Sequence, residues 1–428
     1  MRSRQHGQIL PLAVICLFIA SLLYYYAVSS GHLVDEKIRI TNAADAAAYS
    51  AATVEARALN FSAYANRAII ANQVALAQAL SLASWTNYFA DLWINLDHAT
   101  ERLGDLIPPD DLLRWGQLQA TLVGEAYATV YGGVDPREIA QYVNYAAGAI
   151  VTAADLASQG LQLSESAVRN SLRGAEFGVD APQLRLAREA ARITDPQVSV
   201  DIVPVTHGFD RFVTLYDGNE RGRLADVVLR SRDAFTRERQ WTLRNLLGLF
   251  GSKRFERTGG TTLADVDHWQ STDLLQYRSS GGLFSGSTRE TLAVGFARVG
   301  DSPISESGSA NYVLPGLFTG LPSIYDLQDP RSVDPRSGIS VMASKPSAAA
   351  RLPSAPGGRL AVFDDSPPGG NLAALSRAEV FFERPDARAD GRQETGSAYA
   401  PYWHVRLVPP LRADHAFVAS RQSGVSAP

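Results

Sequence analysis

An uncharged run of twenty residues near the start of the chain, Ile9 to Val28, constrains the fold more than any other feature. A helix rises about 1.5 Å per residue, so this run spans about 30 Å, the hydrocarbon thickness of a bilayer. A cleavable signal peptide has a shorter apolar stretch of about 7 to 15 residues, although Ala27-Val28-Ser29 is acceptable as its cleavage site. We predict a transmembrane anchor at residues 9–28 behind a cytoplasmic tail at 1–8. A secreted domain released by signal peptidase is the alternative.

The orientation of this anchor rests on weak charge asymmetry. Arg2 and Arg4 precede it, and Lys37 and Arg39 follow it, so the count of basic residues on the two sides is nearly equal. A soluble region of about 400 residues after one short-tailed anchor is the usual arrangement of an exported protein. We expect a single pass through the inner (cytoplasmic) membrane, with the C-terminal region in the periplasm or at the cell exterior.

The whole-chain composition argues against several classes of function. The 428 residues carry a formal net charge of -4, whereas nucleic-acid binders normally have a clear basic excess. The single cysteine, Cys16, lies inside the predicted anchor, so the exported part can form neither an internal disulfide nor a thiolate metal site. We therefore expect no nucleic-acid partner and a fold stabilised by packing.

The segment from His32 to Leu103 contains neither glycine nor proline, the two residues that most disfavour a helix interior. Apolar and small residues recur in it every seven positions, with a second series between them. The first series is Ile40, Ala47, Val54, Phe61, Ala68, Ala75 and Leu82, and the second is Ala44, Ala51, Ala58, Ala65, Asn72 and Ala79. This pattern predicts one long helix with a seam of small residues that another helix can approach closely.

Two kinds of helix could cover this seam. Helical spacing also occurs at 110–131, at 135–177 and around Gln183 to Arg192, so the chain's own later helices could cover it. The alternative is contact with helices of other proteins. In either case residues 32–195 are predicted to form an Ala-rich α-helical stalk or bundle.

Strand patterns dominate the second half of the chain. Runs at Val198 to Val205, Thr291 to Val299 and Val405 to Val408 predict strands, and Arg221 to Arg239 predicts a helix between them. The predicted fold class is therefore α+β: a transmembrane helix that continues into the helical stalk, followed by an exported α+β domain at residues 196–412.

Three stretches of this half have compositions that do not favour order. Gly, Ser, Pro and Ala are frequent at 279–311 and 343–370, and the end of the chain, 413–428, is similar. Such segments bury too little apolar surface to offset their conformational entropy. We predict mobile loops at the first two and a disordered tail at the third.

Catalytic and cofactor-binding motifs are missing from the sequence. It contains no nucleophile elbow, zincin helix, phosphate loop or dinucleotide fingerprint. The best remaining cluster is Asp265, Asp267 and His268, in which an extended strand would place both carboxylates on one face and the histidine on the other. Two carboxylates could hold a divalent cation, but a solvated strand edge explains the cluster as well. We predict no catalytic, cofactor-binding or metal-ligating residue, and no cofactor.

Two further features have ordinary structural explanations. His404 alternates with Trp403 and Val405, which predicts a surface histidine. The segment 221–257 carries ten Lys or Arg against four Asp or Glu, an excess that could contact anionic lipid or an acidic partner. An amphipathic helix explains this segment too, with Leu224, Val227, Val228 and Phe235 directed inward.

Two short segments flank the apolar run: Arg4-Gln5-His6-Gly7-Gln8 before it, and Asn42, Ala43, Ala44, Asp45, Ala46, Ala47 and Ala48 after it. In this order they resemble the TadE/TadG-like family of Flp (Tad) pilus-assembly proteins, whose members show a Gly-initiated anchor followed by an Asn-Ala-Ala-Asp-Ala-Ala-Ala type segment. The resemblance covers roughly the first 55 residues. A second similarity, to the closing segment of larger members, lies at Ala378 to Pro385 and Pro401 to Leu407.

This resemblance implies a bacterial envelope protein that helps to build or display an adhesive pilus. Its implied partners are the inner membrane and other pilus-assembly proteins or pilins, with no small-molecule substrate. Prepilin-type processing would cut between Gly7 and Gln8, a candidate processing site, although such sites usually have Glu at the fifth mature position, where this chain has Leu12. The alternative class is a membrane-tethered exported enzyme, such as a hydrolase that uses the Asp265 region.

Overall fold

The computed structural model describes residues 9–95, 99, 102, 135–173, 181–244, 253–280, 287–300, 314–346, 349–350, 371–386 and 388–423. Several predicted features lie outside these residues. They are the processing residues Gly7 and Gln8, the predicted helix at 110–131, and most of the two predicted loops at 279–311 and 343–370.

The described chain is α+β, as the sequence predicts. Its helices are α1 (Ile9–Ile94), α2 (Pro136–Arg173), α3 (Pro182–Thr194), α4 (Phe209–Phe212), α5 (Gly222–Ser231), α6 (Ala234–Arg237) and α7 (Arg412–Ser423). Its strands are β1 (Ser199–Val203), β2 (Val213–Tyr216), β3 (Trp241–Arg244), β4 (Lys253–Asp265), β5 (His268–Ser279), β6 (Thr288–Gly300), β7 (Ile324–Leu327), β8 (Arg336–Pro346), β9 (Asn371–Phe382) and β10 (Trp403–Val408).

The chain divides into two compact units. The first comprises Met1–Tyr64, Glu165–Thr214 and Asp326–Pro428, and the second Ala65–Ser164 and Leu215–Tyr325. The first contains an antiparallel sheet in the order β1-β8-β9-β10, and the second an antiparallel sheet in the order β3-β4-β5-β6. A third sheet pairs β2 with β7. Helices α1 and α2 each contribute residues to both units.

The first of the two predicted seven-residue series leaves the buried face of α1, whereas the second stays on it. Ile40 and Ala47 of the first predicted series are buried, but Phe61 is 38% exposed and Leu82 is 48% exposed. A straight helix drifts by about 20° per heptad relative to an exact seven-residue repeat. Over the six heptads from Ile40 to Leu82 the predicted row therefore turns away from the core by about 120°. The alanines at 44, 51, 58, 65 and 79 remain buried.

Later parts of the chain cover the buried face of α1. In the second unit, the side chains of Asn87 and Asn144 exchange hydrogen bonds of 3.0 and 3.3 Å, and Asn72 donates to Ser158 Oγ at 3.4 Å. Both pairs join α1 to α2. At these positions the structure favours the interpretation in which the chain's own helices pack against the stalk.

This face offers a direct test. Replacing Ala51 by phenylalanine should lower the free energy of unfolding by about 1 to 3 kcal/mol, because Ala51 is fully buried and its neighbours would have to move. The matched change Ala75→Phe, at an exposed position of the same helix, should stay within about 0.5 kcal/mol. Urea-induced unfolding of the full-length protein in detergent measures both. Equal effects would contradict this assignment of the buried face.

The predicted helix around Gln183 to Arg192 lies within α3, and the three predicted strands lie in or overlap β1, β6 and β10. The predicted helix at 221–239 is instead two helices, α5 and α6, separated at Arg232 and Asp233. Asp233 stops the first and caps the second, since its side chain accepts a hydrogen bond from Thr236 N at 2.6 Å. Phe235, which we expected to point inward, is 45% exposed.

The structure also corrects the predicted disordered segments. β6 occupies Thr288–Gly300 inside the predicted loop 279–311, and β8 extends to Pro346, past the predicted start at residue 343. The predicted disordered tail at 413–428 is helical as far as Ser423, in α7. Specific contacts order it: Asp414 Oδ2 accepts hydrogen bonds from Leu411 N and Ser340 Oγ, each at 2.8 Å.

Candidate functional site

The first turns of α1 are exposed and apolar. Every side chain from Leu10 to Val28 is exposed except that of Leu22, which is half-buried. Among the residues described, α1 is the one helix long and apolar enough to cross a membrane, judged by length and composition. Three exposed tyrosines, Tyr24, Tyr25 and Tyr26, end this segment. Tyrosine is enriched where helices leave the hydrocarbon layer.

The alanine segment that follows is a packing face. Ala43, Ala44, Ala47 and Ala48 are completely buried, whereas Asn42 is exposed and Asp45 and Ala46 are half-buried. The buried alanines fall at i, i+1, i+4 and i+5, which is one side of a helix. This segment therefore serves close packing and presents no set of polar groups for binding a ligand.

A buried ion cluster holds α1 to the first unit. Lys345 Nζ on β8 lies 2.9 Å from Glu36 Oε2 on α1 and 2.9 Å from Asp195 Oδ2 after α3. Burial alone would lower the pKa of Lys345, but the two carboxylates outweigh it and raise the pKa. Burial likewise raises the pKa of Asp195, but the hydrogen bonds from Lys345 and from the Gln197 backbone N–H, together with the positive charges of Lys345 and Arg39, outweigh it, so the net pKa is lowered.

Two more polar contacts join α1 to distant segments of the first unit. His207 Nε2 lies 2.7 Å from Glu55 Oε1, and both side chains are buried. Asn60 bonds both backbone groups of Trp403: its Nδ2 donates to Trp403 O at 3.1 Å, and its Oδ1 accepts from Trp403 N at 3.0 Å. The Asn60 side chain thus makes the two hydrogen bonds with the first residue of β10 that the backbone of a neighbouring strand would make.

A buried carboxyl on α2 makes the first unit sensitive to pH. Glu165 is fully buried, and burial raises its pKa to about 8, despite the nearby Ser62 hydroxyl and the nearby charge of Arg169, which both lower it. Arg169 Nη2 itself donates to Val213 O at 3.0 Å. The carboxyl is therefore neutral in the folded protein at pH 7.

Stability should consequently fall as the pH rises from about 4.5 to about 8, because over this range the folded state holds a proton that the unfolded state has released. At 1.36 kcal/mol per pH unit the upper limit of the loss is about 4 to 5 kcal/mol. Glu165→Gln should remove this loss and be more stable than the parent protein at pH 9. The exposed control Glu383→Gln should keep the parent's pH dependence. Urea unfolding at pH 5, 7 and 9 measures these differences, and identical slopes for parent and Glu165→Gln would refute the assignment.

The second unit contains a buried carboxylate with several donors. Asp273 on β5 is bound by Arg239 through Nε at 2.8 Å and Nη2 at 2.9 Å. Arg257 Nη2 lies 3.1 Å from the same carboxylate, and Ser84 Oγ on α1 donates to it at 2.9 Å. The Asp273 carboxylate is structural, because both of its oxygens already accept hydrogen bonds from the side chains of Arg239, Arg257 or Ser84.

At least five of the ten basic residues at 221–257 form ion pairs within the second unit. These pairs are Arg221 with Asp267, Arg230 with Asp226, Arg239 and Arg257 with Asp273, and Arg254 with Glu256. Asp267 and Asp273 lie outside the segment, so a count within it overstates the free charge. This pairing favours the structural interpretation of the segment over contact with lipid.

The Asp265 cluster lies in a hairpin turn, not in an extended strand. Asp265 ends β4, Val266 and Asp267 form the turn, and His268 begins β5. His268 Nδ1 lies 2.7 Å from Asp265 Oδ1, so the expectation that these groups face apart is wrong. The pairing register also shifts between Leu263 and Asp265, which is a bulge. Asp267 instead bonds Arg221 Nη1 at 3.0 Å.

The two carboxylates of this turn therefore have different partners and do not converge on one point. Partial burial raises the pKa of Asp265, but hydrogen bonds from the Asp267 backbone N–H and from His268 outweigh it, and the net pKa is lowered. His404 is exposed, as predicted. Across the described parts of the chain, no three His, Cys, Asp or Glu side chains are grouped to hold a metal ion.

Sequence reasoning missed Glu36, Glu55, Asn60 and Lys345 as contact residues. The first three are polar residues on the face of α1 that packs inward, and an interruption of an otherwise apolar face is a signal that could have drawn attention to them. Their partners lie between 152 and 343 residues further along the chain, so local spacing could not have supplied them.

Comparison with known proteins gives one family match, in the N-terminal part of the chain. Residues 7–54 match a family model for TadE/G-like Flp pilus-assembly proteins. The matched range contains the exposed apolar segment and the buried alanine segment, and it confirms the resemblance at the start of the chain. It does not include the second similarity at Ala378 to Pro385 and Pro401 to Leu407. No curated protein and no solved structure matches the chain. The match supports a role related to pilus assembly.

Proposed function

We propose that this protein is a membrane-anchored structural or assembly component of an Flp/Tad-type pilus or a related secretion apparatus, and that it acts through protein contacts. The observation that carries the proposal is the family match at residues 7–54, which coincides with the apolar segment of α1 and the alanine segment after it. The anchor and its first packed turns are the parts of the molecule that this protein shares with the family.

The proposed location is the inner membrane, with one pass and the C-terminal region in the periplasm or outside the cell. Exposure of the side chains from Leu10 to Val28 supports it, because a water-soluble helix would leave this apolar surface uncovered. The tyrosines at 24–26 would lie at the outer interface, and the first buried residue of α1, Ser29, follows them directly.

Proposed partners are other pilus-assembly proteins or pilins. The outer face of α2 supports protein contact, because five large apolar side chains on it are between 47% and 72% exposed. They are Tyr142, Tyr145, Ile150, Leu156 and Leu163. The only charged residue between 142 and 163 is Asp155, which is buried and accepts a hydrogen bond from Thr319 Oγ1 at 3.0 Å.

We also propose that the protein is not an enzyme. Support comes from the best candidate cluster, where Asp265 bonds His268 and Asp267 bonds Arg221. Each group has a structural partner, and the set lacks a nucleophile with an adjacent base.

Alkaline phosphatase fused to the C-terminus of the complete chain tests anchoring and orientation together. The fusion should be active and should stay in carbonate-washed membranes. Activity that is soluble in the periplasm would support the secreted alternative, and an inactive fusion would reverse the orientation. Deletion of the gene should abolish surface pili, and the parent protein should restore them. A variant with residues 9–28 replaced by a cleavable signal peptide should not restore them, and normal piliation by it would refute an anchored role.

A further inference from the structure

Helix α3 runs toward the membrane anchor within the first unit. Near its start, Gln183 Nε2 donates to Leu172 O at 3.2 Å, two turns along α2 from Glu165, which lies beside Ser62 of α1. Just after its end, Asp195 binds Lys345, which also binds Glu36 of α1. Since Glu36 is 26 residues, or about 39 Å, closer to the anchor than Ser62, the C-terminal end of α3 is its membrane-proximal end.

The distance from this end to the bilayer is short. Glu36 follows Tyr26 by ten residues, which is about 15 Å of helix. If the tyrosines mark the hydrocarbon boundary, the headgroup layer fills about 5 to 7 Å of this distance. The remaining gap is comparable to one Debye length, about 8 to 10 Å.

The outer face of α3 is basic. Arg185, Arg188 and Arg192 fall at i, i+3 and i+7, which is one side of a helix. With Glu189 and Ile193 they line a shallow depression of about 560 Å³. Arg188 Nε donates a hydrogen bond to Val200 O at 3.3 Å, and Arg188 Nη2 lies 3.9 Å from Asp201 Oδ1. Arg185 and Arg192 are exposed, and neither forms an ion pair with a residue that the structure describes.

The last turn of α3 adds an apolar group to this face. Ile193 is 83% exposed, more than any other large hydrophobic residue of the described chain. Arginines beside an exposed apolar side chain are the combination that interfacial helices present to a membrane, where the cations meet phosphates and the apolar group enters the headgroup boundary.

We propose that the arginine face of α3 is attracted to the anionic phospholipid headgroups of the membrane that holds α1, with Arg192 and Ile193, in its last turn, nearest the headgroup layer. The proposal rests on the proposed function, because the anchor keeps α3 beside the bilayer. Charge complementarity and this enforced proximity favour lipid over an acidic protein. The contact gives the first unit a second attachment point and restricts its tilt relative to the bilayer.

A label at Ile193 tests the proposal in the full-length protein. In a Cys16→Ser background, Ile193→Cys carries an environment-sensitive fluorophore, and the protein is reconstituted into vesicles of phosphatidylcholine alone or with 30% phosphatidylglycerol. The emission should shift to the blue only with phosphatidylglycerol, and high salt should reverse the shift. Val333→Cys is the control, because Val333 is exposed beside the end of β8 opposite to Lys345. Its label should not respond to the lipid.

Removal of the two exposed arginines should abolish this response. An arginine near an anionic surface contributes up to about fivefold to association, so Arg185→Gln with Arg192→Gln should lower the equilibrium constant for lipid binding by up to about 25-fold. The matched control is Arg331→Gln with Arg388→Gln, which removes two exposed arginines elsewhere in the same unit and should change nothing. An unchanged urea-unfolding midpoint confirms that both double variants are folded.

Other outcomes separate the two proposals. Protein that carbonate extracts from the vesicles would refute the proposed anchor. Protein that stays inserted but shows no shift with phosphatidylglycerol, or the same shift in both double variants, would refute lipid binding alone. A shift that occurs in native membranes but not in vesicles of either composition would assign this face to a protein partner and overturn the proposal.

Discussion

Replacing Lys345 by methionine should lower the free energy of unfolding of the full-length protein by about 3 to 5 kcal/mol. The change leaves Glu36 and Asp195 buried without their shared cation, and an unpaired buried charge costs about this much. Urea-induced unfolding in detergent at pH 7 measures the loss. Acidification should reduce the difference between parent and variant, because the lowered pKa of Asp195 contributes stability only while the carboxyl is ionised.

Two further variants make this result specific. Lys37→Met removes an exposed lysine one residue after Glu36 and should stay within about 0.5 kcal/mol of the parent. Lys345→Met combined with Glu36→Met and Asp195→Asn removes all three charges and should recover much of the loss, since neutral replacement of a whole buried cluster is often tolerated. A Lys345→Met variant as stable as Lys37→Met would show that the cluster does not form.

Replacing Gly295 by alanine should cost about 3 kcal/mol or more, a large effect for one methyl group. A Cβ atom there would lie 2.5 Å from both Tyr88 N and Tyr88 Cβ, and would also overlap Ser84 O. These atoms belong to α1, whose backbone lies directly against β6 at this point, so neither element can yield without breaking the contact. Overpacking against backbone is at the upper end of the usual 1 to 3 kcal/mol.

The same substitution at Gly160 is the matched control. No atom lies within 4 Å of a Cβ built there, and alanine is the better helix former by up to about 1 kcal/mol. Gly160→Ala should therefore leave the protein as stable as the parent or slightly more so, by the same unfolding assay. If Gly295→Ala unfolds at the same urea concentration as Gly160→Ala, the close approach of α1 to β6 is wrong.

The sequence allowed the long helix to be predicted because absence of glycine and proline is a local property. It did not show that the first predicted series would leave the buried face, because periods of 3.5 and 3.6 residues differ little over one or two heptads. Ala47, near the start of the first series, is buried as the 3.5-residue period predicts. Ala75 and Leu82, at its end, are exposed because the helix has a period of 3.6 residues. To predict the buried face of a long helix, one must know which side faces the core as well as the repeat length. That side is determined by the distant residues that pack on the helix.

The turn at Asp265 shows a different limit. Alternation predicts which face a side chain takes only where the strand continues, and here the strand ends after Asp265. The hairpin brings His268 back beside the carboxylate. In the same way, α7 is polar enough to suggest disorder, and Ser340 and Leu411 order it through Asp414. Such contacts are set by tertiary structure and leave no local pattern.

The contacts between α1 and the end of the chain also determine when the first unit can close during synthesis. Asn60 cannot bond Trp403 until the ribosome has added 343 more residues, and Glu36 cannot pair with Lys345 until it has added 309. At about 5 to 20 residues per second, the wait for Trp403 lasts about 20 to 70 s. Throughout that interval the helix is already made while its last covering strand is not. The first unit therefore becomes resistant to proteases only after Trp403 has been synthesised, whatever the speed of its individual folding steps.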